Sequence, residues 1–373
     1  MNEISSELLS KAVDSFAIDG KKTKVEIYGN GHINDTFAAY FENSDGSTTR
    51  YIIQRINSSV FKKPKDVMEN VIGVTRYLKE VIEKAGGDPM RETLNLIPTR
   101  SGEYYYVDSF GEYWRAYVFI EDTITVEVVK NSTDFYNSAR AFAKFQLLLA
   151  DYPAATLRET IPKFHNTPDR IRQFKEALSA DKLNRAAGAK PEINFVLERE
   201  EFTHLLVDKL EKGELPLRVT HNDTKLNNVL MDKKTGEGIC IVDLDTVMPG
   251  LSLYDFGDSI RFGATHAAED ERDLDKVHFE IDLFEIYTKG YLEILGDVLT
   301  ENELDNLPES AKMITLECGS RFLTDHLAGD VYYKIHREGH NLDRARTQFK
   351  LVKEMEEQWD AMHKVVDKYR KKK

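Results

Sequence analysis

Cysteine is scarce in this chain. Its 373 residues include two, Cys240 and Cys318. They form no CxxC pair, and no Cys/His spacing suits zinc, so both read as reduced thiols of a cytosolic protein. Long apolar runs are also missing. Nothing approaches the roughly 18 consecutive apolar residues of a membrane span, so no membrane partner is expected. The opening segment, MNEISSELLSKAVDSFAID, carries acids early and has no extended apolar stretch. It reads as an amphipathic helix on Leu8, Leu9, Ala12, Val13 and Phe16, not as a signal peptide, and the expected location is the cytoplasm. Positive charge is in deficit, with 51 Lys and Arg against 64 Asp and Glu and a net charge of −13. That balance excludes a broad basic face for a nucleic-acid backbone, but leaves room for a local basic pocket around a small phosphate ligand. There is no internal repeat and no low-complexity segment. Nothing demands a second subunit, so a monomer is expected. The short basic tail KYRKKK reads as a solvated end.

What is present is enough apolar material for a sizeable core, 41% hydrophobic and 10% aromatic, in a chain long enough for two lobes. The first third reads as strands with one helix. KVEIYG and DTFAAYF flank a Gly-Asn-Gly turn, TTRYIIQRI follows the turn SDGS, and PKDVMENVIGVTRYLKEVIEKAGG is a helix from Pro64 to a stop at Gly86-Gly87. LNLIPTRSGEYYYVDSFGEYWRAYVFI supplies three more strand-like runs, for about five strands with the helix between the third and fourth. From about residue 125 the texture turns helical almost to the end. The exception is a small β region at 215–245. The expected fold is α+β, with an antiparallel N-lobe at 1–122 and a mostly helical C-lobe at 123–373.

Within that β region, THNDTKLNN (residues 220–228) sets His221, Asn222, Asp223, Lys225, Asn227 and Asn228 between the apolar runs LPLRV and VLM. Asp223 is the candidate general base, a loop-held carboxylate that takes a proton from a substrate hydroxyl. Asn228, five residues on, opens a strand, and its amide oxygen is a hard ligand for Mg²⁺. After the turn KKTGEG, the strand ICIVD ends in Asp243, and pairing across the hairpin brings Asn228 and Asp243 together. A base, an amide and a carboxylate so placed suit phosphoryl transfer from Mg·ATP. His221 and Asn222 are expected to hold the loop's shape and Asn227 to serve the turn. Asp245 either supports a neighbour or caps the turn.

This constellation resembles the catalytic segment of the aminoglycoside phosphotransferase/choline kinase family, which has a protein-kinase-like fold. The resemblance implies ATP and Mg²⁺ as cofactors, Asp223 and Lys225 as catalytic residues, with Lys225 aimed at the γ-phosphate, and Asn228 and Asp243 as metal ligands. Asp255-Phe256-Gly257 spells a kinase metal motif, but sits in a loop-to-helix transition instead of at the end of a hairpin strand. In the resembled family an Asp in this region braces the catalytic loop through backbone hydrogen bonds, and the resemblance implies that role for Asp255. On the nucleotide side the expected contacts are Gly29, Gly31 and Asn34 at the first turn, and backbone groups of the Val118–Glu121 segment, Phe119 and Glu121 among them. Asn34, like His32, serves either a ligand or the turn. The family's third-strand lysine is absent from Tyr51-Ile52-Ile53-Gln54-Arg55. The cation there is expected to be Arg55, with Glu69 either its partner or a surface acid; otherwise Gln54 takes the slot.

Longer stretches, among them YGNGHINDTF, KFHNTPDR, SLYDFGDSIRFGA and RFLTDHLAGDVYYKIHREGHNLDRARTQFKLV, are similar to the N-acetylhexosamine 1-kinase branch of that family. This implies a sugar partner held by Asp223, by Thr246 just past the metal strand, and by Arg321 and Tyr332 on the late helices. Read from chemistry alone, Arg321 is equally a salt-bridge residue beside Asp325 and Asp330. Kinases of other small hydroxyl compounds, and a kinase-like binding module without catalysis, are the alternatives; the missing lysine favours the last.

Overall fold

The structure, a computed structural model, describes residues 4–29, 33–127, 129 and 131–371. Gly31 lies outside the described residues, as do its neighbours Asn30 and His32. The N-terminal lobe is an antiparallel sheet of β1 (Lys21–Ile27), β2 (Asp35–Glu42), β3 (Thr48–Arg55), β4 (Tyr106–Val107) and β5 (Tyr113–Val118), in the order β1-β2-β3-β5-β4. LNLIP does not form the extra strand expected of it. Only Leu96 makes an isolated bridge, to Tyr117. The Asn95 amide there donates to the carbonyls of Pro89 and Thr93, holding the backbone in a turn.

Strand alternation sorts the sheet into two faces. Phe37, Ala39, Phe41, Ile53, Trp114 and Ala116 pack with Ala12, Val13 and Phe16 of the helix Ser6–Ser15 and its end, making a separate N-lobe core. The intervening residues, among them Thr36, Gln54, Arg115 and Tyr117, face the other way. Pairing of Gln54 with Thr36 on one side and with Arg115 on the other puts all three on that second face.

The helix Pro64–Lys84 turns its apolar stripe, Val67, Val71, Val74, Leu78 and Ile82, into the larger core that it shares with C-lobe residues such as Phe142, Leu226 and Val247. The N-lobe's own helix is thus glued to the C-lobe, which ties the two lobes together on one side of the cleft. The C-lobe carries two small sheets. β6 (Thr123–Ile124) pairs with β8 (Val229–Asp232), and β8 with β9 (Gly238–Ile241); β7 (Arg218–Thr220) pairs with β10 (Met248–Gly250). Around them stand the long helices Ser132–Leu148, Thr167–Ala180, Ser252–Gly263, Ile281–Leu295, Leu307–Ala328 and His340–Glu357. Within the stretch that reads as helical from about residue 125, PEINFVLEREEFTHLLVDKLEKG breaks into Lys190–Leu197 and Leu205–Glu211 around the short turn Glu201–His204. Among the described residues, no helix is long and apolar enough to cross a membrane.

The glycine of the Asp255-Phe256-Gly257 triplet has a packing role. A Cβ at Gly257 would stand 2.5 Å from the backbone oxygen of Ser310, on the facing helix Leu307–Ala328. Backbone cannot retreat as a side chain can. Gly257→Ala is therefore expected to lower stability by about 1–3 kcal/mol through overpacking. A denaturant melt checks this, and a variant as stable as wild type would show that the two helices can part.

Candidate active site

The polar loop after β7 is built on backbone hydrogen bonds to one carboxylate. Asp255, in the first turn of the helix Ser252–Gly263, accepts from the N–H of His221 at 3.0 Å and of Asn222 at 2.8 Å. The Gln146 amide donates to it as well, at 2.7 Å. Burial pushes the Asp255 carboxyl above its usual range, while these donors pull the other way. One turn later Asp258 accepts from Thr224 N–H at 2.8 Å. Asn222 occupies the left-handed region at φ 65°, which Asn tolerates better than most residues, and its side chain donates to the Thr246 carbonyl at 2.8 Å. His221 is buried against Phe142 and Phe145. Its Nε2 lies 2.9 Å from the Val242 carbonyl, and its Nδ1 accepts from Asp223 N–H. The proton therefore sits on Nε2, and the ring pins the loop to the metal strand. This is the loop-shaping work assigned to His221, Asn222 and Asp255.

Asp223, half-buried, is left facing the cleft. Its Oδ1 pairs with Lys225 Nζ at 3.0 Å, and its Oδ2 accepts from Asn228 Nδ2 at 3.3 Å. The same Asn228 nitrogen donates to the Asp223 carbonyl at 2.8 Å. A carbonyl only accepts, so the amide's orientation is decided, and its oxygen is the atom left over. Lys225 is held firmly in its charged form, chiefly by Asp223.

Asp243 follows β9. Val242 N–H donates to the Asn228 carbonyl at 2.9 Å, so the hairpin places Asn228 and Asp243 next to each other across the pair of strands. Asp243 adopts φ 59°, a conformation that costs a non-glycine residue about 1–3 kcal/mol and collects at functional sites. Among the described residues no hydrogen bond reaches its carboxylate. Burial, with Asp245 and Asp223 nearby, pushes it up to about 6. A carboxylate left without donors, beside an amide oxygen left without donors, fits a hard divalent cation. No group of three or more His, Cys, Asp or Glu among the described residues would hold a metal by itself. Mg²⁺ in phosphoryl-transfer sites takes one or two carboxylates and completes its shell with phosphate and water, so the donor set fits it.

Several expected contacts lie elsewhere. Arg55 is on the far face of the sheet, paired with Asp35 at 2.6 Å, because alternation turns residue 55 away when residue 54 faces the cleft. Glu69 is exposed toward Arg158, not Arg55. The Asn34 side chain is spent at both ends, donating to Asp245 at 2.6 Å and accepting from Asn57 N–H at 3.0 Å. Asn34 is a bridge between lobes, with neither end free for a nucleotide. Thr246 is buried and its hydroxyl donates to the His221 carbonyl at 2.7 Å, so it supports the loop. Tyr332 is on no helix; it is 60% exposed in the connection after Leu307–Ala328, where Asp325 holds the N–H groups of residues 331–333. Gly29 keeps a positive φ of 74° with open space around it. Near Phe119 and Glu121, the Phe119 N–H is used by the Arg50 carbonyl and the Glu121 carbonyl by Arg91. Their complements, the Phe119 carbonyl and the Glu121 N–H, carry no bond among the described residues.

Arg321 is on the helix Leu307–Ala328, its guanidinium 5.0 Å from the Phe164 ring centre and 5.8 Å from that of Tyr333. It pairs with neither Asp325 nor Asp330. Asp325 caps the loop, and Asp330 pairs with Arg185 at 2.6 Å. Arg170 is close by and binds only the Phe164 carbonyl. Burial and the charge of Arg321 both lower the pKa of Arg170. Phe164, Arg170, Tyr333 and Arg115 were not picked out as site residues from the sequence. Only Arg115 had a signal, its place on the cleft face in the alternation of β5.

A profile of the Phosphotransferase enzyme family matches residues 24–287, the span that holds the sheet, the loop and both metal-side residues. The chain belongs to this family. Solved relatives share the fold of this phosphotransferase at low identity. A microcompartment-associated aminopropanol kinase is 15% identical, with 96% of this chain and 99% of that one covered and a TM-score of 0.62. The amicoumacin kinase hAmiN, in complex with AMP-PNP, Ca²⁺ and Ami, is 13% identical over 95% and 94%, TM-score 0.58. Choline kinase from Cryptosporidium parvum Iowa II is 16% identical over 92% of each chain, TM-score 0.56. These neighbours have the two-lobed kinase-like architecture expected of this phosphotransferase, an antiparallel N-lobe and a helical C-lobe.

Proposed function

We propose that this phosphotransferase moves the γ-phosphoryl group of Mg·ATP to the anomeric hydroxyl of an N-acetylhexosamine, GlcNAc or GalNAc, giving the 1-phosphate. In this reading it is a cytoplasmic monomer. Asp223 accepts the hydroxyl proton as the oxygen attacks phosphorus, and the bond to the ADP oxygen breaks in line. Lys225, paired with Asp223, would offset the charge of the transferred group. Asn228 and Asp243 would hold the metal, which when bound neutralises phosphate charge. The Phe119 carbonyl and Glu121 N–H offer an acceptor and a donor to the adenine edge. Gly29 opens the loop that would lie over the phosphates.

The observation that carries the acceptor is the pair Arg170 and Arg321. Among the described residues neither forms a salt bridge, although the buried Glu317, itself bonded to His165 and Thr167, acts on both electrostatically, and they stand around an aromatic ring. A cationic acceptor such as choline would meet two like charges there. A neutral sugar offers hydroxyl and acetamide oxygens to their N–H groups and a flat face to Phe164 or Tyr333. ATP consumption over a panel of GlcNAc, GalNAc, choline, ethanolamine, homoserine and an aminoglycoside tests this, with ³¹P NMR of the product to tell an anomeric phosphate from a 6-phosphate. Turnover of the cationic acceptors alone would overturn the sugar reading and leave the kinase chemistry standing.

A further inference from the structure

We propose that Arg115 is the phosphate-binding cation of this enzyme, supplied by β5 where β3 has no lysine. The inference rests on the kinase reading, though not on which acceptor is used.

Toward the catalytic loop the cleft face of β3 offers Ile52 and Gln54, and neither carries charge. Gln54 instead takes hold of a charge from its neighbour. Its Oε1 accepts from Arg115 Nε at 3.0 Å and from Arg115 Nη2 at 2.7 Å, while its Nε2 donates to Thr36 at 3.0 Å. The Thr36 bond helps keep the amide turned with its oxygen toward the guanidinium. The side chain in the lysine's place has thus become the holder of a cation one strand away. Arg50, the other arginine on this face, is committed at the Phe119 end, stacked 3.8 Å over the Phe119 ring and paired with Glu121.

Arg115 also pairs through Nη1 with Asp245, two residues beyond Asp243. Asp243 and Tyr117 act on the guanidinium electrostatically as well. It therefore borders the Asp223–Asp243–Asp245 cluster on the N-lobe side, as Lys225 borders it on the C-lobe side. An incoming polyphosphate brings several more negative charges to that cluster, and a cation already placed at its border in a water-poor cleft offsets them. The planar guanidinium fork matches two phosphate oxygens as well as it matches a carboxylate. A buried ion pair held only for stability gains little, since desolvation consumes most of the attraction.

In this structure Arg115 and Asp245 are each 2% exposed, with the Asp245 carboxylate occupying an anion's place on the guanidinium. The other oxygen of Asp245 is held by Asn34, a few residues past Gly29. Displacement of the Asp245 carboxylate by an incoming phosphate would free the fork.

The test compares binding of Mg·ADP with binding of adenosine by titration calorimetry, since only the former presents phosphates. Wild type is expected to prefer Mg·ADP. Arg115→Met is expected to weaken Mg·ADP about tenfold or more while adenosine changes little, as befits a lost charged hydrogen bond. Gln54→Lys added to Arg115→Met puts a lysine back on β3 and is expected to recover most of the loss. If Arg115→Met does not fold, Arg115→Lys serves, with the Mg·ADP to adenosine affinity ratio expected to fall about threefold because the fork is lost. An unchanged ratio in a folded Arg115 variant, or no recovery in the double variant, overturns the inference and spares the kinase reading. Wild type that binds Mg·ADP no better than adenosine overturns both.

Discussion

Asp223→Asn is expected to lower kcat by about 10²–10⁴-fold, the usual contribution of a positioned general base, while the fold and nucleotide affinity survive. An amide keeps the shape, and its one oxygen can still accept from Lys225 while its NH₂ takes the side where Asn228 made a long bond, but it cannot take the acceptor's proton. Stability should hardly move, because the Asp223–Lys225 pair is partly exposed and such pairs contribute about 0–1 kcal/mol. The measurement is kcat at saturating substrate, set beside Mg·ADP binding and a thermal melt of the same preparation. A variant turning over at near wild-type rate would remove Asp223 as the base.

The second large effect separates the two aspartates that compete for the metal. Asp243→Asn is expected to cut activity by about 10³-fold or more, or to require far more Mg²⁺, since a carboxylate ligand is lost from the site where charge develops. Its folded-state carboxyl is raised to about 6 by burial and by Asp245 and Asp223. The folded protein therefore binds this proton more tightly than the unfolded chain, and the ionised group costs stability, a cost absent at low pH and fully present above about pH 6. Removing the charge should leave the melting temperature at neutral pH unchanged or higher. Asp255→Asn should do the opposite. Its oxygens receive two loop N–H groups and the Gln146 amide, and an NH₂ facing those donors leaves buried groups unpaired, for an expected loss of about 2–4 kcal/mol. Activity per folded molecule would fall less than for Asp243→Asn. The reverse pattern, a stable but inert Asp255→Asn and an active Asp243→Asn, would assign the metal to the better-spelled triplet.

How far each residue could be read in advance follows from the range of the interaction that places it. That Asp223, Asn228 and Asp243 lie together was legible because a loop, a two-stranded hairpin and a tight turn are local. The spacing along the chain nearly dictates the spacing in space, and polar groups between apolar strands have few other uses. The context of Asp255 was legible in the same way, since a residue in the first turn of a helix has a known direction. Arg55, Asn34, Thr246 and Tyr332 were misjudged for different physical reasons. Arg55 failed by one residue of strand register, which reverses the face. The partner of Asn34 is 211 positions away, and that of Thr246 is 25 away across the small sheets. Tyr332 depended on where a helix stops, which here was decided by Asp325 folding the chain back on itself.

By itself, then, the sequence determined the two-lobed α+β architecture and the order of the elements. It also determined that Asp223, Asn228 and Asp243 come together, because short-range spacing carries that information. Only the tertiary structure decided which charged groups face the cleft, which arginines have no salt bridge among the described residues, and which polar side chains are already spent on holding the lobes together. Those outcomes depend on which strand lies beside which and on how buried charges find partners across the fold, and no local pattern encodes that pairing.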